Sequence, residues 1–158
     1  MMERVAIFPG SFDPYTKGHV AIVDEALRLF DRVVVAIGEN INKRGMLTTD
    51  ERKRLIDDLY SAEPRVECMI YGGLTGDFAR SISASAIIRG VRNSADFEYE
   101  QQIASINRRI FPGLATVVLM TPYALADVSS SAVRELHAFS HSVEAFMPEG
   151  IELEKYIK

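Results

Sequence analysis

The chain has one cysteine, Cys68, inside the apolar run Val66-Glu67-Cys68-Met69-Ile70. No disulfide can form within it, and nothing points to an oxidising compartment. Excess positive charge is also missing: 18 Lys and Arg stand against 22 Asp and Glu, a formal net charge of -4. A surface built to hold DNA or RNA would carry the opposite sign, although a local basic pocket stays open. No stretch approaches the roughly 18 consecutive apolar residues of a membrane helix, and the amino terminus enters a strand-like run instead of a signal peptide. The expectation is a soluble, cytoplasmic protein that binds neither nucleic acid nor membrane. Internal repeats, low-complexity tracts and long runs of like charge are absent as well, which excludes a solenoid, a charged tail or a disordered linker. Three catalytic or phosphate-binding signatures are missing too: a GxGxxG loop, a P-loop and a Gly-x-Ser-x-Gly elbow.

What is present has a regular order. Apolar, β-branched runs recur at Val5-Ala6-Ile7-Phe8, Val33 to Ile37, Val66 to Ile70, Ala86-Ile87-Ile88 and Thr116 to Met120, each reading as a short buried strand. Between them lie helical spacings such as Val20, Val23, Leu27 and Phe30, with one apolar stripe to turn toward a sheet. Thr48-Thr49-Asp50-Glu51 has the spacing of a capping box and predicts a helix to about Leu59. Five strands with intervening helices predict a Rossmann-like α/β fold: one domain over 1–158 with a doubly wound, parallel, five-stranded sheet. From about Ser131 the chain is expected to add two or three C-terminal helices closing over the sheet edge. Ligands of such a sheet bind beyond the carboxyl ends of the strands, so the residues after each strand carry the functional reading.

After the first strand comes Pro9-Gly10-Ser11-Phe12-Asp13-Pro14, and Thr16-Lys17-Gly18-His19 opens the first helix. Gly10 would let the backbone approach a ligand, Ser11 offers a hydroxyl, and Gly18 removes a side chain beside His19. A helix amino terminus carries free N–H groups and partial positive charge, so an imidazole there can share a phosphoryl oxygen with them. The alternative is that His19 caps the helix and the glycines mark turns. Later, Ile88-Arg89-Gly90-Val91-Arg92 would point two guanidinium groups into the crevice directly after a strand, unless they form a solvated surface pair. Ser129-Ser130-Ser131 precedes the helical segment from Ala132 and reads either as one cap with two incidental serines or as an anion site of hydroxyls and N–H groups. His137 and His141, four residues apart, have no third ligand nearby in sequence and are expected on the surface, with no protein-held metal.

Taken together, Gly10-Ser11-Phe12-Asp13-Pro14 followed by Thr16-x-Gly18-His19 resembles the signature of the nucleotidylyltransferase superfamily. The block from Arg89 through Asp96-Phe97-Glu98-Tyr99-Glu100 to Asn107-Arg108 resembles the phosphopantetheine adenylyltransferase family. The resemblance runs from about Arg4 to Pro148. It implies transfer of AMP from ATP to 4'-phosphopantetheine, with His19, Ser11, Lys43 and Arg89 at the reacting phosphate. It further implies nucleotide contacts at Ser11, Phe12, His19, Gly90, Val91, Arg92, Glu100 and the turn Leu125, Ala126, Asp127, Val128, Ser129, Ser130 and Ser131. Acceptor contacts fall at Ser11, Lys43, Thr75 and Arg89, Mg²⁺ would arrive on the ATP phosphates, and the assembly would be a homohexamer. Leu125 to Val128 departs from the family, whose members often carry aromatic residues there. Leucine can cover a base but cannot stack on it. Two other readings are a different nucleotidylyltransferase, acting on nicotinate mononucleotide or making a CDP-alcohol, and a nucleotide-binding module without catalysis.

Overall fold

A computed structural model describes residues 2–158. The expected alternation is present: β1 (Val5–Gly10), α1 (Lys17–Ala26), β2 (Arg32–Gly38), α2 (Thr49–Leu59), β3 (Val66–Tyr71), α3 (Thr75–Ser81), β4 (Ala86–Val91), α4 (Ser94–Ile110), β5 (Ala115–Met120) and α5 (Ser130–Ala138). The five strands are parallel in the order β3-β2-β1-β4-β5. The α2 start is capped as its spacing predicts, with Thr48 N–H donating to Glu51 Oε2 and Glu51 N–H to the Thr48 hydroxyl.

Strand residues alternate between two cores. Ala6, Phe8, Val33, Val35 and Ile88 face a large one built with Ile22 and Val23 of α1, Leu55 and Ile56 of α2 and Val133 of α5. Val5, Ile7, Val34 and Ile87 face a smaller one closed by Ala79, Phe111 and Leu114. The 17-residue helix α4 buries a single side chain, Glu100, and leaves Phe97, Tyr99, Ile106 and Ile110 exposed. One face of the sheet is therefore thickly covered and the other thinly.

The carboxyl-terminal segment is helical, as expected, but mostly in single turns. It holds one α-helix, α5, and two 3-10 helices at Glu144–Phe146 and Leu153–Lys155. Val143, Met147, Leu153 and Tyr156 lie in the large core on the α1–α2 face. Tyr156 donates its hydroxyl to Asp58 Oδ2 at 2.8 Å, and Arg54 donates to the Lys155 carbonyl at 2.9 Å, so the tail is strapped to α2. Pro148 and Gly150 interrupt any helical period there, and the apolar residues anchor turns instead. No helix among the described residues is long and apolar enough to cross a membrane.

Candidate active site

The order β3-β2-β1-β4-β5 reverses direction between β1 and β4, where an open α/β sheet places its ligand. β1 pairs with β2 at six positions, whereas it pairs with β4 only at Ala6–Ala86 and Ile7–Ile87. Beyond those pairs the two strands part. A cleft of about 340 Å³ opens there, lined by the Pro9–Phe12 loop, Thr16, Gly18, His19, Ile22, Arg89, Gly90, Arg92, Thr121, Val128–Ser131 and Arg134.

His19 is the third residue of α1 and serves as its cap: the Thr16 backbone N–H donates to His19 Nδ1 at 2.9 Å. The backbone can only donate, so Nδ1 accepts and the neutral ring carries its proton on Nε2. The two readings of His19 are thus compatible, since the nitrogen that caps leaves the other as a donor. The ring lies among Phe8, Phe12 and Tyr15, with centroids 6.0, 5.0 and 5.0 Å away. Loss of water in that setting, reinforced by the cations of Arg92 and Arg89, pushes its pKa down to about 4. At neutral pH the imidazole is an uncharged N–H donor.

Gly10 owes its identity to Phe12. Phe12 adopts a φ of 50°, and a Cβ on Gly10 would lie 2.9 Å from the Phe12 ring. The glycine therefore admits the aromatic ring that packs on His19, and it also lines the cleft. At Gly18 a Cβ would make only ordinary contacts with Thr16 and Val128.

Arg89 lies within β4, and Arg92 is the first residue after it, a shift from the expectation that both follow the strand. Arg89 grips Glu100 with two bonds of 2.7 Å and donates a third, of 2.8 Å, to the Pro9 carbonyl across the splayed strands. Glu100, 5% exposed, lies outside the cleft lining and acts on it through Arg89. Arg92 is held by Asp96 through its backbone N–H (3.0 Å) and Nε (3.2 Å).

Each serine of the triplet is engaged, so none is incidental. Ser129 caps α5 by accepting from the Ala132 N–H, Ser130 donates to the Pro14 carbonyl at 2.7 Å, and Ser131 accepts from Arg134. Arg134 also donates to the Asp13 carbonyl at 2.8 Å. Arg89 and Arg92 each hold a carboxylate, while Arg134 makes no ion pair among the described residues. It is the uncompensated cation of the cleft, and the sequence reading passed it over. Its only signal there was an arginine one turn into a helix that opens with serines.

The residues that the resemblance assigned to the acceptor lie apart. Lys43 is exposed on the β2–α2 loop, and Thr75 opens α3 after β3, its hydroxyl 2.8 Å from that of Tyr71. Neither lines the cleft, nor do Val91, Leu125, Ala126 and Asp127. Val91 is buried, and Leu125 ends a 3-10 turn that begins at Tyr123, an aromatic 96% exposed and missed in the sequence reading. His137 reaches only Glu154, at 4.0 Å, and His141 is exposed. Among the described residues no cluster of three His, Cys, Asp or Glu could hold a metal ion.

Comparison with known proteins bears on this arrangement. The cytidylyltransferase-like family model matches residues 7–136, most of the sheet and the whole cleft. The phosphopantetheine adenylyltransferase of Porphyromonas gingivalis is 44% identical over 154 residues, covering 98% of this chain and 100% of that protein. That of Phocaeicola vulgatus is 46% identical over 151 residues, covering 96% and 99%. Among solved structures, a bifunctional NMN adenylyltransferase/ADP ribose pyrophosphatase from Francisella tularensis superposes with a TM-score of 0.71 at 17% identity. It covers 92% of this chain, which spans 45% of that one, and at such identity the likeness concerns the fold alone. Identity of this degree along the full length of its relatives, on a sheet whose switch point forms a cationic cleft, makes this chain a member of the phosphopantetheine adenylyltransferase family of nucleotidyltransferases.

Proposed function

We propose that the protein transfers the adenylyl group of ATP to 4'-phosphopantetheine, giving dephospho-coenzyme A and pyrophosphate, as a single cytoplasmic nucleotidyltransferase domain. One observation carries the reading beyond kinship: a neutral imidazole donor, two helix amino termini and three guanidinium groups converge on one cleft in a chain of net negative charge. Such a set suits the phosphates of a nucleotide.

A phosphate oxygen of the acceptor attacks the α-phosphorus of ATP in line, and the bond from that phosphorus to the bridging oxygen of pyrophosphate breaks. The attacking oxygen is already charged at neutral pH, so no strong base and no covalent enzyme intermediate are required. His19 donates from Nε2 to a phosphoryl oxygen as charge develops, Arg89 shares that charge, and Lys43 holds the acceptor's phosphate before and after the step. Ser11 and the Ser129–Ser131 turn hold nucleotide phosphates, with Gly90 and Arg92 along the opposite wall. The Leu125–Val128 turn covers the base, and Thr75 lines the acceptor arm. The cleft's side chains supply hydroxyls and cations but no free carboxylate, a donor set suited to Mg²⁺ arriving on the ATP phosphates, where it would neutralise charge. Apolar residues left open on α4 support burial against further copies of the chain, and we propose a homohexamer. A monomeric mass at micromolar concentration would contradict that assembly.

Pyrophosphate release tests the activity. With ATP it is expected for phosphopantetheine and not for nicotinate mononucleotide, and CTP with an alcohol acceptor should be inert. Turnover with either alternative alone would replace this reading with a different nucleotidylyltransferase. Tight ATP binding without any turnover would leave a binding module.

A further inference from the structure

The loop that carries Lys43 and the loop that carries Ser11 leave different strands, and one buried ion pair ties them together. Asp13, 7% exposed, accepts the backbone N–H of Met46 at 2.9 Å and of Leu47 at 2.8 Å. Arg52, 8% exposed, stands in the first turn of α2 with Nε 3.7 Å from Asp13 Oδ1. The same guanidinium donates from Nε to the Leu47 carbonyl at 3.0 Å and from Nη1 to the Ser11 carbonyl at 3.1 Å. Every one of these bonds crosses from one loop to the other or locks one of them to α2. We infer that Arg52 is a positioning residue: with Asp13 it sets the Lys43 loop against the phosphate loop, and so fixes where the acceptor's phosphate stands relative to the nucleotide. The inference rests on the reading of Lys43 as the acceptor's cation.

Three features favour this over simple stabilisation. A buried ion pair is weak evidence of stability, since apolar residues of similar volume often serve as well. Its bonds converge on backbone groups of the loops, so what the pair specifies is loop geometry. Gly45, two positions after Lys43, is pressed against the pair: a Cβ there would lie 2.5 Å from Arg52 Nη2 and 2.7 Å from Asp13 Oδ2. Residues 39–45 are otherwise exposed, and the pair anchors the far end of that stretch, while the Glu39 N–H bond to the Tyr71 carbonyl holds the near end.

The test is a steady-state double-mutant cycle on the full chain, with ATP and phosphopantetheine as substrates. Arg52→Lys keeps the charge but loses the fork that spans the Leu47 and Ser11 carbonyls. It should raise the acceptor KM about tenfold and leave the ATP KM within about twofold. Combined with Lys43→Ala, it should add little further to the acceptor KM, because a misplaced loop cannot harm a cation already removed. Gly45→Ala leaves every charged group in place. It should give the same KM split and the same non-additivity, which keeps the test decisive if Arg52→Lys does not fold. Equal multiplication of the acceptor KM by Arg52→Lys or Gly45→Ala in both backgrounds, or an equal rise in the ATP KM, overturns the inference alone. If Lys43→Ala leaves the acceptor KM unchanged, the acceptor reading fails first and the inference goes with it.

Discussion

The two halves of the candidate site are built differently. On the proposed nucleotide side, beyond β1 and β4, most polar side chains are fixed before any ligand arrives: His19 by a backbone N–H, Arg89 by three bonds, and the serines Ser129–Ser131 by a cap, a carbonyl and a guanidinium, with the exposed Ser11 hydroxyl left open. On the proposed acceptor side, beyond β2 and β3, Lys43 stands on an exposed loop whose nearest tie is its own backbone N–H to the Asn40 carbonyl, at 3.2 Å. Fixed donors cost no reorganisation when charge develops, so they suit the transition state. A flexible cation attracts a charged group equally before and after reaction, and so suits binding. Substitutions of the fixed donors should therefore act on kcat, and those of the flexible cation on KM.

The largest expected effect is that of His19→Ala, a fall in kcat on the order of 10²- to 10³-fold with the ATP KM little changed. Stopped-turnover pyrophosphate release would measure it. A near-normal kcat would reduce His19 to a helix cap and erase the contrast between the two halves.

The same residue sharpens the comparison through pH. Its folded pKa of about 4 lies below the ordinary value of 6.5. As pH falls from 6.5 toward 4 the unfolded chain takes up a proton that the folded chain does not, so stability is lost across that window and is fully present above it. By pH 5 the loss should reach roughly 2 kcal/mol. Urea unfolding of parent and His19→Ala at pH 7 and pH 5 would show it, since the difference between the two should shrink or reverse only at the lower pH.

Arg134, the cation without a carboxylate, should come next. Arg134→Ala is expected to lower kcat/KM for ATP about 10- to 100-fold, the worth of charge-assisted hydrogen bonds to a phosphate. Arg134→Lys should recover part of that loss, and an unchanged kcat/KM would place the nucleotide elsewhere. On the other side, Lys43→Ala should raise the acceptor KM about tenfold, within the range of one hydrogen bond to a charged group, while the ATP KM stays nearly constant. A fall in kcat alone would mean that Lys43 belongs with the fixed donors. The smallest effect concerns the base. Leu125→Tyr should lower the ATP KM by the equivalent of about 1 kcal/mol if a ring can stack there. A rise would show that the turn has no room, or that Tyr123 already serves.

Much of the fold was legible because it is written in local patterns. The five apolar runs became the five strands, and the Thr48–Glu51 spacing became the α2 cap through bonds spanning three residues. His19 and the serine triplet were legible for the same reason, each opening a helix just after a strand or turn. Arg134 was not, because what marks it is a bond to a carbonyl 121 positions away. Arg89 and Glu100 were both named, yet their union was invisible, since nothing in sequence says that a carboxylate on α4 swings back to the strand before it. The tail was legible only in part. Its helices were expected, but its apolar residues serve as single anchors in the core with α1 and α2, a placement that no local spacing shows.

Local spacing specified the alternation of strands and helices, the caps that begin α1, α2 and α5, and the residue types able to hold phosphate, because each depends on neighbours a few positions apart. Where those residues meet was set by the packing of the folded chain. β1 and β4 pair at two positions and then part, opening the cleft. Arg89 bridges the gap to Pro9, and Asp13 with Arg52 ties one loop to the next. Such contacts depend on how strands far apart in the chain lie side by side, a matter of packing that no local spacing encodes.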